Sequence, residues 1–171
     1  IAQGFGYMEG FGDCAVAHTN DENGLIAVFV GGQGFWQSTP TNPNRTYKSM
    51  SYDNGRTWSE PEDITHFIFG SECSDSVRSK WRACFCASGN GLLTSNGRIM
   101  FVACIRETSA YSINNYVVYS DDNGETWNKT DIASITFTVE GKEMVENFYN
   151  LVSFNGELYA YGVYFVFKYL P

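Results

Sequence analysis

Ser51-Tyr52-Asp53-Asn54-Gly55-Arg56-Thr57-Trp58 and Ser120-Asp121-Asp122-Asn123-Gly124-Glu125-Thr126-Trp127 are two copies of one pattern, S-x-D-N-G-x-T-W, set 69 residues apart. Six of the eight positions are identical. A repeat of that period points to an array of similar structural units. The residue types say what each copy does. An Asp carboxylate accepts hydrogen bonds from backbone N–H groups of the turn that follows it. Asn-Gly tolerates the positive φ that tight hairpin turns need. Thr resumes extended backbone, and the Trp ring offers an apolar body to lay on the adjoining sheet. Each copy is therefore expected to turn the chain between two antiparallel strands, with its Trp inward.

The flanks repeat as well. Leu25 to Gly31 and Arg98 to Ile105 are apolar runs of strand length, each following a Gly-containing turn. Arg45 to Ser51 and Tyr116 to Ser120 lead into the two turns, and Cys14 to Ala17 and Gly91 to Leu93 are shorter candidates for inner strands. Each unit thus reads as four short antiparallel strands, one propeller blade. The predicted divisions are one blade over about 1–70, a second over about 71–135 and an incomplete third over about 136–171. The third begins at Asn150 to Ser153, turns at Asn155-Gly156 and resumes at Leu158 to Tyr161. Two excursions interrupt the pattern: Gln33 to Asn44, and Thr65 to Arg82 with Cys73, Asp75 and Trp81. Propellers carry binding groups on such loops.

Composition agrees with an all-β fold, since aromatic residues make up 16% of the chain, with Phe 13 and Tyr 11. A net charge of -8 and a pI near 4.6 leave no basic stripe for phosphates, which argues against nucleic-acid or anionic-membrane partners. An anionic sugar remains compatible, because a few arginines can hold a carboxylate inside an acidic protein. Of the five cysteines, Cys84, Cys86 and Cys104 lie in apolar stretches and read as small buried side chains. Neither His18 nor His66 stands near a cysteine pair with zinc spacing, so no metal and no cofactor is expected. One disulfide is compatible with the spacing; a disulfide framework is not. No signal peptide and no apolar run of membrane-spanning length appears, and both ends read as cuts through something longer.

The repeated motif resembles the Asp box of sialidases, and the flanks resemble that family too. Gly10-Phe11-Gly12-Asp13-Cys14-Ala15-Val16 looks like the opening of the second blade of bacterial and trypanosomal sialidases, and Gly34 to Thr39 resembles the loop that follows. Thr57 to Thr65 is similar to the family's sequence after an Asp box, and Ser88 to Leu92 with Asn96-Gly97-Arg98 to its glycine-marked strand pair. The resemblance implies a six-bladed propeller of the exo-α-sialidase (neuraminidase) family, with this chain covering about two blades and part of a third. It also implies hydrolysis of terminal sialic acids with retention. The family uses an arginine triad on the substrate carboxylate, an Asp acid/base and a Tyr nucleophile activated by a Glu. A neutral Tyr suits an anionic substrate, and sialidases are an exception to the two-carboxylate rule for that reason.

Carried over residue by residue, the resemblance points to few site residues here. The first arginine and the Asp acid lie upstream of the segment resembling Ile1 onward, and the third arginine and Tyr in later blades. A second arginine is expected soon after Leu158, but Tyr159 to Phe167 contains none. Gly141 to Glu146 stands where the activating Glu would lie, with Glu143 the better match and Glu146 the alternative; a solvated acidic turn is the competing reading. Asp13 matches an Asp that contacts sugar hydroxyls, and an ionised carboxylate can accept two hydroxyl protons; otherwise it is a turn Asp after Gly12. Trp36 matches a loop aromatic beside the pocket, or else anchors its own loop.

Ser51, Asp53, Gly55, Thr57 and Trp58, with Ser120, Asp122, Gly124, Thr126 and Trp127, are expected to be structural, because the family's Asp boxes lie on outer turns away from the active face. Arg82, Arg98 and Arg106 are expected to make surface or strand-edge salt bridges. Asn44-Arg45-Thr46 and Asn128-Lys129-Thr130 fit the N-glycosylation pattern.

The implied partner is a sialylated glycoconjugate, and the implied parent is secreted, periplasmic or cell-surface, with no membrane insertion in this segment. A trans-sialidase and a non-catalytic propeller that binds glycans or proteins are the alternatives. Open sheet flanks lead to the expectation that the chain alone self-associates or is poorly stable.

Overall fold

The computed structural model describes residues 2–4, 6, 9–86, 89–109, 113–131, 135–139, 142–146, 150–155, 157–161 and 166–168, with backbone alone from 131 to 151 and from 160 onward. The first sheet contains β1 (Phe11–His18), β2 (Leu25–Gly31), β3 (Arg45–Ser51) and β4 (Glu62–Asp63), joined in chain order as an antiparallel meander. A connecting segment follows, with a one-turn helix α1 (Thr65–Ile68) and a 3-10 turn at Arg78–Lys80.

The second sheet is built on β8 (Ile99–Arg106), which pairs with β9 (Ile113–Ser120), and β9 pairs with β10 (Asn128–Asp131). Its inner edge is divided between β5 (Ala83–Cys86) and β7 (Leu92–Leu93), both antiparallel to β8. Between them β6 (Gly89–Asn90) leaves the sheet and pairs in parallel with β1, Ala15 opposite Gly89 and Val16 opposite Asn90.

This corrects the expectation of a purely antiparallel unit with one inner strand near Gly91 to Leu93. The reason is Gly91. Its N–H donates to the Val16 carbonyl at 2.8 Å, and a Cβ there would lie 2.3 Å from the Phe101 ring. Only a residue without a side chain lets the backbone cross between the sheets at that point. β1 is also longer than the expected Cys14 to Ala17.

The remainder forms a hairpin of β11 (Ile135–Val139) with β12 (Lys142–Glu146), and a three-stranded sheet of β13 (Asn150–Phe154), β14 (Glu157–Tyr161) and β15 (Val166–Lys168). The turn expected at Asn155 is present, with φ 51°. The segment Gly141 to Glu146, read as the place of the activating Glu or else as a solvated acidic turn, is strand at 142–146. Gly141 and Gly156 lie outside the described residues.

Period-2 alternation places one face of each sheet in a shared core. Ala15, Ala17, Ile26 and Val28 from the first sheet meet Ile99, Phe101, Ala103 and Ile105 from the second. Ile64, Ile68, Phe69 and Trp81 of the connecting segment close one side, and Trp81 lies 4.9 Å from the Tyr116 ring. Asp75 accepts from the Val77 and Arg78 N–H groups at 2.9 and 2.8 Å, so the segment's polar residues hold its own turn. All five cysteines are free, with Cys73, Cys84 and Cys86 buried, Cys104 half-buried and Cys14 exposed. No helix among the described residues is long and apolar enough to cross a membrane.

Candidate functional site

Both copies of S-x-D-N-G-x-T-W fold alike. Ser51 Oγ donates to Asp53 Oδ1 at 2.9 Å and accepts from Gly55 N–H at 2.8 Å. Asp53 then takes Thr57 N–H at 2.9 Å and Thr57 Oγ1–H at 2.6 Å. In the second copy Ser120 Oγ donates to Asp122 at 2.7 Å, Thr126 N–H donates to it at 2.8 Å, and the Thr126 hydroxyl also donates to it. Asn54 and Asn123 have φ of 58° and 60°, and Gly55 and Gly124 φ of 81° and 96°. The Asn-Gly pair is thus required by the left-handed backbone at both positions.

The hydrogen bonds from Thr57 pull the Asp53 pKa from 3.8 to about 2. Burial pushes Asp122 up, but the bonds from Thr126 and Ser120 outweigh it and hold it below the ordinary value. A carboxylate whose folded pKa is depressed stabilises the fold above its unfolded value, and that contribution fades as pH falls through the folded one. For Asp53 the stabilisation is full above roughly pH 4 and disappears towards about pH 2. The melting-temperature gap between wild type and Asp53→Asn is expected to narrow as pH is lowered across that window. A gap constant from pH 5 to 2 would contradict this linkage.

Register locates the motifs relative to the other candidates. β1 runs antiparallel to β2 with Phe11 opposite Gly31 and His18 opposite Leu25, and β2 to β3 with Leu25 opposite Ser51. The first turn motif therefore sits at the His18 end of the sheet. Asp13 and the 32–44 loop with Trp36 sit at the other end. In the second sheet Ile99 is opposite Ser120, so Arg106 shares the end of the second sheet remote from its own turn motif.

Asp13 lies in β1 rather than in a turn. The pairing steps from Gly12 opposite Val30 to Ala15 opposite Val28, leaving Asp13 and Cys14 to face Phe29 alone, a β-bulge. Asp13 has φ 48°, a left-handed value that a non-glycine residue adopts at a cost. Its side chain is exposed and makes no hydrogen bond or ion pair among the described residues. Its neighbours Gly12 and Cys14 line an open hollow with Ala2, Phe11 and Phe29. A carboxylate beside an apolar hollow can accept hydroxyl protons while a ring face rests on the aromatic floor.

Trp36 is 59% exposed, and its ring meets Phe35 edge-on at 5.4 Å. No hydrogen bond or ring contact among the described residues joins it to Asp13; the two share only an end of the sheet. Glu143 and Glu146 lie in β12, opposite Thr138 and Ile135. Their side chains lie outside the described residues.

Of the three arginines expected in surface salt bridges, Arg98 fits: it grips Asp121 with two bonds of 2.7 and 2.9 Å. Arg82 Nε donates to the Thr108 carbonyl at 3.0 Å. Arg106 does not fit. It is 3% exposed, has no acidic partner among the described residues, and donates to the carbonyls of Trp36 at 2.7 Å and of Ser38. A guanidinium at a strand end can be buried here because a loop of the first sheet turns its carbonyls towards it.

The loop base is tied down by Asn44 and Ser38, whose part in it no sequence motif marks. Asn44 pairs with both backbone groups of Cys84, donating to its carbonyl at 2.6 Å and accepting its N–H at 3.2 Å. Ser38 Oγ accepts Asn44 N–H at 2.7 Å and donates to the Arg82 carbonyl. Asn44 is 2% exposed, so its glycosylation pattern is unusable in the folded chain, whereas Asn128 is exposed. An arginine closing the apolar run of β8 was the one sequence signal for this network; Ser38 and Asn44 had none.

Comparison with known proteins agrees with the geometry. The family model of the BNR/Asp-box repeat matches residues 118–129. A sialidase of Paraclostridium sordellii is 34% identical over 108 residues, 60% of this chain and 26% of its own length. A Hadza microbial sialidase aligns over 90% of this chain and 32% of its own, with TM-score 0.57 and 22% identity. Trypanosoma rangeli sialidase in complex with sialic acid aligns over 92% and 27%, with TM-score 0.55 and 16% identity. The chain thus spans about a quarter of the length of the curated relatives it matches. Asp-box repeat, sequence likeness and all-β architecture agree: the chain is similar to sialidases in sequence and has a sialidase-type β-propeller fold.

Proposed function

We propose that this chain is a segment of an exo-α-sialidase that removes terminal sialic acids from glycoconjugates with retention, its first two sheets being two blades of a six-bladed ring. Asp13 receives sugar hydroxyl protons, Trp36 lays its ring on the sugar, and Glu143, or alternatively Glu146, activates a Tyr nucleophile carried elsewhere in a longer protein. The parent is secreted, periplasmic or cell-surface. The observation that carries this reading is Asp13: an exposed carboxylate in left-handed backbone, at the sheet end remote from the first Asp box. Strain of that kind is retained where a side chain must be aimed.

The test is release of 4-methylumbelliferone from its sialic acid conjugate, by this chain and by the full-length gene product. Turnover is expected from the full-length protein alone. There Asp13→Ala should lower kcat/KM by about 10- to 100-fold, the loss of one or two charge-assisted hydrogen bonds. No turnover by the full-length protein would remove the enzymatic reading. A glycan-binding propeller would then stand in its place, a reading favoured by the absence of arginine from Tyr159 to Phe167. Transfer of sialic acid to added lactose in preference to water would identify a trans-sialidase.

A further inference from the structure

Trp36 belongs to the first sheet's β2–β3 loop, yet its position is held from the second sheet. Arg106, at the end of β8, sends one guanidinium nitrogen to the Trp36 carbonyl at 2.7 Å and another to the Ser38 carbonyl. Its charge also lies 5.7 Å from the centres of both the Phe35 and Trp36 rings, within cation–π range. Phe35 is wedged edge-on between Trp36 at 5.4 Å and Phe85 of β5 at 5.2 Å. The Arg106 Nε is buried with no acceptor among the described residues, and burial beside Arg82 lowers the Arg106 pKa. A buried arginine with carbonyl partners alone is costly unless its geometry is needed. Aliphatic packing would be the cheaper way to fill the space.

We infer that Arg106 is the positioning residue of the Trp36 loop: entering from the neighbouring sheet, it sets where the exposed indole is presented. This rests on the reading of Trp36 as a residue that packs on a sugar. The aromatic surface offered to the ligand is then decided by the seam between two sheets. Planarity matters, because two carbonyls 2 residues apart in the loop are gripped by one rigid fork that lysine cannot reproduce.

The experiment uses this chain labelled with 5-fluorotryptophan, whose Trp 4 give separate fluorine resonances, with Trp36 assigned by Trp36→Phe. In Arg106→Met the Trp36 resonance should move and those of Trp58, Trp81 and Trp127 stay; Arg106→Lys should move it part of the way. A Trp36 resonance unmoved in Arg106→Met overturns the inference. If Arg106→Met collapses the dispersion of all four, Arg106→Lys decides: Trp36 shifted alone supports it, and no shift overturns it.

Titration with the methyl α-glycoside of sialic acid separates the two claims. Read from the line broadening of the sialoside's own proton resonances, the affinity should weaken about 5- to 10-fold in Arg106→Met, and Arg106→Met should cost nothing further in a Trp36→Ala background. If the wild-type Trp36 resonance ignores the sialoside while still moving in Arg106→Met, the sugar-packing reading fails and the positioning role stands.

Discussion

Trp127→Ala is expected to cost about 3–5 kcal/mol of unfolding free energy, whereas Trp58→Ala at the equivalent position of the other Asp box should cost about 1 kcal/mol. The local structure of the two is the same. Each indole N–H donates to the carbonyl of the box glycine, at 3.0 Å for Trp58 and 3.1 Å for Trp127. Their surroundings differ. Trp127 is 5% exposed, lies 5.9 Å from Phe101 and belongs to the core between the two sheets, while Trp58 is only half-buried.

The second box is also docked on the first sheet by polar contacts. Asn123 accepts the Asn20 N–H and donates to Asp21, both at 2.9 Å. The buried Lys48 Nζ donates to the Gly124 carbonyl at 2.8 Å and meets Glu62 at 3.1 Å. Removing Trp127 therefore empties a site in the inter-sheet core and loosens the plug that spans it. Urea denaturation of the two variants measures this, and equal losses would show that the boxes act only as local turns.

Gly91→Ala is expected to cost about 1–3 kcal/mol, a large effect for one methyl group. The added Cβ would stand 2.3 Å from Phe101, a ring 1% exposed and packed on all sides. The backbone must retreat, and with it the Gly91 N–H bond to Val16 and the parallel pairing of β6 with β1. Gly10→Ala and Gly12→Ala are the controls, since a Cβ at either meets nothing within 4 Å. Chemical denaturation should leave both near wild type, and Phe101→Leu should recover part of the Gly91→Ala loss. Destabilisation by all three alanines alike would mean that backbone strain at these glycines, not contact with Phe101, sets the cost.

The two predictions divide what the residues announce from what packing decides. The Asp boxes were legible because the bonds of Ser51 and Asp53, and of Ser120 and Asp122, that shape the turns fall within eight residues, and their Asn-Gly pairs have one comfortable backbone. The long strands were legible because Leu25 to Gly31 and Ile99 to Arg106 are apolar runs of strand length next to turns, and they are buried along almost their whole length. Asp13 was marked by resemblance, but its bulge and left-handed φ emerge only from the register of β1 against β2.

The seam between the sheets left almost no trace in the pattern. Arg106 was expected in a surface or strand-edge salt bridge, and Asn44 stood out only as the start of an N-glycosylation pattern. Neither buried role was legible because the partners lie 68 and 70 residues away for Arg106 and 40 for Asn44. Local propensity carries information over a turn or a strand, and it therefore determined the repeat, the all-β class and the shape of each Asp box. Which residue of one sheet fills, grips or clears space for the other is set by simultaneous packing of distant segments. That is why only the tertiary structure decided the burial of Arg106, the close approach of Gly91 to Phe101 and the unequal burial of Trp58 and Trp127 in two matching motifs.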